Sequence, residues 1–284
     1  MQNPDPNPTP NMKNNSKFHT VHRALTYHLA GALTLLFAIG PARETTASIL
    51  AYEGFNYVVN QPLATMNGGF GWAGLWTQIG GAMVDQPPTL NYPSALPSSG
   101  DALFTPATGA ASRSFLAPLN NAGSDLWISF QELTAVGAVP GAQVDIQQTT
   151  AVLPNIEVNK DAGGAITLNG LPAGLSAGVG AVDFFVLQLV QWSGGGTLVN
   201  LFVDPGAVLG PPNASLLLSG PAFQAQNFYY QANAGQELDE IRVGTTVGDV
   251  AAVPEPSTFA LLAGALLLPI AANRHWRWHK SSAA

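Results

Sequence analysis

Ala181-Val182-Asp183-Phe184-Phe185-Val186-Leu187-Gln188-Leu189-Val190-Gln191-Trp192 is the stretch that decides the fold class of this chain. It is rich in aromatic and β-branched residues, and a two-residue period makes both of its faces largely apolar. That is the pattern of a long strand buried on both sides, near the middle of a sheet. Gly194-Gly195-Gly196 follows and then 197–204, a second run of the same kind that closes at Asp204-Pro205-Gly206. Two such runs joined by glycines read as an antiparallel hairpin.

Outward from this hairpin, the stretch 48–252 continues as short apolar segments bounded by turn residues. Residues 124–131 are aromatic and β-branched, with Trp127 expected inside. Gln143-Val144-Asp145-Ile146-Gln147 alternates cleanly. Residues 228–231 and 238–244 supply two more candidate strands. No alternation of helix and strand appears, which argues against a parallel α/β fold. The expected fold class is therefore all-β, an antiparallel β-sandwich. It is expected to be flanked by an N-terminal signal helix and a C-terminal hydrophobic helix.

Charge and composition remove several functions. Between Ser48 and Val253 the only cations are Arg113, Lys160 and Arg242, against fourteen acids, a net of −11. Such a field repels nucleic acid and anionic lipid. Cysteine is absent from the chain, which excludes disulfides, thiolate zinc sites and cysteine nucleophiles. All five histidines (His19, His22, His28, His275, His279) lie outside this stretch, so it holds no Ser-His-Asp triad. Arg113 and Arg242 are expected to pair with carboxylates rather than with a ligand.

The two ends read as addresses. Lys13, Lys17 and Arg23 precede an apolar run over 29–40 and small residues ending at Ala47, the layout of a secretory signal over 1–47. Cleavage is expected after Ala47, with Ala42 the alternative. Signal peptidase and the Sec translocon are the implied partners. Residues 1–11 are polar and proline-rich, and Met12-Lys13 is the more natural start. At the other end, Val253-Pro254-Glu255-Pro256-Ser257 precedes an apolar run over 259–272 and the cations Arg274, Arg277 and Lys280. The prolines hold the segment extended and readable by an enzyme cleft. The cations, interleaved with Trp276 and Trp278, form a membrane stop. This order over 253–280 resembles the PEP-CTERM sorting signal of Gram-negative bacteria that make exopolysaccharide. The resemblance implies exosortase as a partner, a membrane-anchored precursor, and delivery to the cell surface or the extracellular matrix.

The central stretch also resembles a known family. Tyr52-Glu53-Gly54-Phe55, then Gly68-Gly69-Phe70-Gly71-Trp72, the strand around Trp127, the strand over 184–189 and a closing Asp239-Glu240-Ile241-Arg242-Val243 follow the order of the concanavalin A-like (laminin-G-like) jelly roll. That resemblance implies a calcium ion at the rim as a possible cofactor, with Glu53, Asp239 and Glu240 as the ligand candidates if first and last strands pair. No other cofactor is implied. The competing account is dispersed surface acid.

Two kinds of chemistry bear on this stretch. Glu237-Leu238-Asp239-Glu240-Ile241-Arg242 resembles the Glu-x-Asp-x-Glu signature of family 16 glycoside hydrolases. A retaining glycosidase needs two carboxyls about 5–5.5 Å apart. Here the third position is Ile241, or Arg242 in a bulged register, and that signature belongs on an inner strand midway along the chain. The stretch is therefore expected to be non-enzymatic, with Ile241 and Val243 inward and the carboxylates near the rim. Exposed aromatics would stack on sugars, and Trp72 and Trp76, in a glycine-rich loop, are the candidates for glycan contact. The expected role is structural or adhesive, among exopolysaccharide. The alternatives are a carbohydrate-binding lectin and, behind it, a glycoside hydrolase.

Overall fold

A computed structural model of the chain describes residues 48–120, 124–148, 155–192, 195–206 and 208–251. The expected signal segment over 1–47 lies outside the described residues, as do the sorting motif from Val253 to Ser257 and the cations Arg274, Arg277 and Lys280. Among the described residues no helix is long and apolar enough to cross a membrane.

Among the described residues there are fifteen strands. They are β1 Ile49–Glu53, β2 Thr77–Gly80, β3 Val84–Gln86, β4 Ala102–Thr105, β5 Gly109–Asn120, β6 Leu126–Thr134, β7 Ala142–Gln148, β8 Ile156–Lys160, β9 Ala165–Leu168, β10 Leu171–Ser176, β11 Val182–Gln191, β12 Thr197–Val203, β13 Ala214–Leu218, β14 Gln224–Ala232 and β15 Gln236–Gly244. Two single turns of 3-10 helix, Leu63–Thr65 and Val247–Asp249, complete the described elements. The strands form an antiparallel sandwich of two sheets. Sheet 1 runs β13-β12-β11-β6-β15-β4-β3, with β1 also on β15, and sheet 2 runs β10-β9-β8-β7-β14-β5-β2.

The opening hairpin is β11 and β12, in register from Phe185↔Val203 to Gln191↔Thr197. Its alternation is used on both faces. Phe185, Leu187 and Leu189 join Leu126, Ile128 and Phe130 of β6 in the core between the sheets. Phe184 and Val186 face the other way, into a second cluster with Trp127, Phe202, Val250 and Ala251. Trp127 is buried as expected, but it lies outside the sandwich. The chain around Tyr92 and the segment after β15 cover it there, and Tyr92 stacks on Phe184 at 5.6 Å. Sheet 1 thus has a covered patch on its outer face, around Trp127 and Phe184.

Sheet 2 does not. Its inward side chains, such as Val144, Ile146, Val158, Phe228 and Tyr230, belong to the core. Their neighbours along β7, β8 and β14 point outward and are polar, as the two-residue period requires. β10, at the edge of this sheet, contains Pro172 and Gly174, which an edge tolerates because no further strand needs the missing donor.

Candidate functional site

The first and last strands do pair, with Glu53 opposite Ile241. β15 carries a bulge between Asp239 and Arg242, and Glu240 sits at φ 53. Ile241 and Val243 enter the core, as expected. The carboxylates do not lie at an open rim, and that expectation is corrected: Asp239 and Glu240 are 0% and 2% exposed. The cause is the bulge together with residues 89–99, which close over it. Asp239 Oδ2 accepts hydrogen bonds from Thr89 Oγ1 (2.7 Å) and the Leu90 amide (2.9 Å). Glu240 Oε1 accepts from Tyr52 Oη (3.0 Å) and the Ser99 amide (2.8 Å), and Arg242 Nε donates to Glu240 Oε2 (2.9 Å). Burial pushes the Asp239 carboxyl up to about 8, against the pull of its Thr89 and Leu90 donors. Glu237 remains partly exposed, its carboxyl also raised by burial.

Glu53 is equally occupied. Oε1 accepts from the Phe55 amide (3.0 Å), and Oε2 accepts from Tyr57 Oη (2.8 Å) and Trp76 Nε1 (3.3 Å) and pairs with Arg113 Nη1. The remaining Arg113 donors reach the Gly74 carbonyl and Asn67 Oδ1. Its guanidinium lies 5.4 Å from the Trp72 ring and 5.9 Å from the Trp76 ring. Trp72 and Trp76 are therefore interior residues, 7% and 2% exposed, and the expectation that they face solvent is corrected. The glycine-rich loop is what brings them in. Gly71, at φ 80, passes so close to Leu50 and Ala51 that a Cβ there would meet backbone at 2.2 Å. Both indole nitrogens find acceptors inside, Trp72 Nε1 on the Tyr52 carbonyl at 2.9 Å. Among the described residues no three carboxylates or histidines gather as a metal centre. Glu53, Asp239 and Glu240 each serve protein donors instead.

The arginines behave as expected, each on a carboxylate. A second buried ion cluster was not legible. Lys160 Nζ lies 3.4 Å from both Glu132 Oε2 and Asp183 Oδ2, inside the sandwich.

The outer face of sheet 2 is open to a ligand. β7 is its middle strand, and Gln143, Asp145 and Gln147 project from one side, opposite the core residues Val144 and Ile146. The register places Asn159 and Gln231 beside Gln143, and Glu157 and Tyr229 beside Asp145. Hydrogen bonds run along each strand. Gln143 Nε2 donates to Asp145 Oδ1 (2.9 Å), Asn159 Nδ2 to Glu157 Oε1 (3.4 Å) and Tyr229 Oη to Gln231 Oε1 (2.7 Å). Burial raises the Asp145 carboxyl, and the Glu157 charge adds to the rise. At one end of these strands Gln143, Asn159, Asp161, Gln231 and Asn233 line a depression of about 240 Å³.

The spacing sought on 237–242 is thus met elsewhere. Gln143-Val144-Asp145-Ile146-Gln147 has the Glu-x-Asp-x-Glu spacing on an inner strand midway along the chain, with amides at both outer positions. The clean alternation was visible in the sequence. A search for paired carboxylates passes over it because glutamine carries no acid.

No protein-family model matches the chain, and neither does any curated protein sequence. Solved structures of similar architecture include an endo-beta-1,4-glucuronan lyase from the fungus Trichoderma reesei. It is 12% identical, with a TM-score of 0.42 over 72% of this chain and 99% of that one. The Emp47p carbohydrate recognition domain is 10% identical, with a TM-score of 0.35 over 69% and 98%. The VIP36 exoplasmic/lumenal domain, in a Ca2+/Man2-bound form, is 10% identical, with a TM-score of 0.33 over 68% and 88%. At such identities and scores the likeness is one of architecture and assigns neither ligand nor reaction.

Proposed function

We propose that this chain is an exported, non-enzymatic β-sandwich that touches polysaccharide through the outer face of sheet 2. It acts as a structural or adhesive component at the cell surface or in an exopolysaccharide matrix. Exosortase delivers it by way of the tail beginning at Val253, after a secretory signal has taken it through the Sec translocon. The observation that carries the reading is the amide–carboxylate–amide row of Gln143, Asp145 and Gln147. An amide can bind a sugar hydroxyl as donor and acceptor. It supplies neither a carboxylate nucleophile nor an acid proton, and a glycosidase needs both. The row therefore favours holding over cutting.

The test uses protein recovered from the cell exterior, incubated with a panel of insoluble and soluble polysaccharides. Retention on at least one of them, without release of reducing or unsaturated ends, is the expected result. End-group release that disappears in Glu237→Gln would overturn the non-enzymatic half. Absence of retention on every polysaccharide would overturn the adhesive half. For the tail, mass spectrometry of exported protein is expected to find no peptide beyond about Pro256, and recovery of 277–280 from the surface form contradicts sorting.

The depression at Gln143, Asn159 and Gln231 favours a second reading, a lectin with one defined glycan. A glycan array separates the two: a single selective hit marks the lectin, and broad weak retention marks the matrix component.

A further inference from the structure

Resting on that reading of the sheet 2 face, the geometry points to one ligand class: an uncharged pyranose glycan, seated where Gln143, Asn159 and Gln231 meet. Three observations carry this. The first is hydrogen-bonding capacity. Each of the three amides commits one half of its side chain to a neighbour on its own strand. Gln143 Oε1, Asn159 Oδ1 and Gln231 Nε2 are the halves left over, two acceptors and one donor on three adjacent strands. Neighbouring sugar hydroxyls, each both donor and acceptor, complement such a set.

The second is charge. Asp145 and Glu157 lie on this face, and Asp161 and Lys160 both line the depression, but the Lys160 ammonium is buried and turns into the sandwich toward Glu132 and Asp183. A uronate or sulfated chain would bring like charge to this face without a counter-cation, and like charge laid against like opposes binding. The third is size and surface. A depression of about 240 Å³ is smaller than the roughly 300–1,000 Å³ of pockets that enclose drug-sized ligands. It suits one ring of a chain whose neighbours lie along the open sheet. Tyr229, half-buried beside Asp145, gives the next ring an aromatic patch.

The experiment measures retention of the exported protein on a neutral β-glucan, a neutral galactomannan and polygalacturonate, each at low and high salt. Variants are Gln143→Ala, Asn159→Ala and Gln231→Ala, singly and combined, with Asn200→Ala on sheet 1 as control. All three test residues face outward from the core, and a melting curve for each variant verifies folding. Binding to a neutral glycan that is insensitive to salt, falls about tenfold or more in the triple variant and survives in Asn200→Ala is the expected result. Tenfold corresponds to about 1.4 kcal/mol. Neutral-glycan binding that is unchanged in a folded triple variant would overturn the site. Retention only on polygalacturonate would overturn the ligand class while leaving the polysaccharide reading standing. Retention on no polysaccharide at all would overturn both.

Discussion

Two ionic ties cross the interior from one sheet to the other, and they are built to different standards. In the first, Glu53 of β1 meets Arg113 of β5. Four protein groups satisfy the carboxylate, the guanidinium reaches two further acceptors, and two indoles close over it. In the second, Lys160 of β8 stands between Glu132 of β6 and Asp183 of β11 at 3.4 Å from each. One cation serves two acids, and Glu132 Oε1 has no hydrogen-bond partner. Burial raises both carboxyls, that of Asp183 to about 6, against the pull of the lysine. A buried pair is stable when geometry and extra hydrogen bonds repay desolvation, and a surplus acid goes unpaid. The first tie is fully satisfied by protein groups. The second couples the fold to protons.

The sharpest way to break the first tie is Arg113→Ala, which leaves Glu53 charged and buried without its partner. Loss of about 3–5 kcal/mol in a denaturant titration is expected. Arg113→Lys should recover only part of this, because an ammonium cannot reach Glu53, Asn67 and the Gly74 carbonyl together. Lys160→Met should cost less and should depend on pH. At pH 5 the two acids can take up protons and the loss stays below about 1 kcal/mol. At pH 8 it grows toward the lower end of the range for a broken buried pair, about 3 kcal/mol. An equal loss at both pH values would show that the cluster does not titrate.

The unmutated protein sharpens the same contrast. Asp85, Asp183 and Asp239 have carboxyls raised to about 7, 6 and 8, each first by burial, with Asp101 adding to the rise at Asp85. A carboxyl raised in the folded state holds its proton more tightly there than when unfolded. Its contribution is full below about pH 4 and is lost as the pH climbs through the folded value. The melting temperature is therefore expected to fall between pH 5 and pH 8, by a few degrees per kcal/mol for a module of this size. A rise over that interval would contradict the assignment. Glu132→Gln removes the surplus acid and is expected to be neutral at pH 5 and to raise stability at pH 8 by about 1 kcal/mol. Smallest of all, Gln231→Ala on the open face should change stability by no more than about 0.5 kcal/mol.

How far this was legible follows from the same physics. The β11–β12 hairpin, β6, β7, β14 and β15 were readable because each carries enough aromatic or β-branched residues to show a period. β5 was not, since Gly109-Ala110-Ala111-Ser112 has side chains too small to mark a face. Nor were β8 to β10, short strands whose identity depends on the neighbours they pair with. Trp72 and Trp76 were misplaced because a glycine-rich loop looks like surface, while here the glycines allow the chain to pack against β1. Lys160, the sole lysine between Ser48 and Val253, sits on the same face as Ile156 and Val158, but the two acids it meets lie 28 residues before and 23 after it, so the ion cluster itself was not readable.

The last strand of the sandwich is an inner one. β15 lies between β6 on one side and β4 and β1 on the other, so sheet 1 has a gap in its middle until residues 236–244 arrive. A chain made from its N-terminus cannot complete sheet 1 until β15 has been added. Truncation before Leu238 is therefore expected to leave a protease-sensitive product rather than a smaller folded domain, and limited proteolysis of that product checks it.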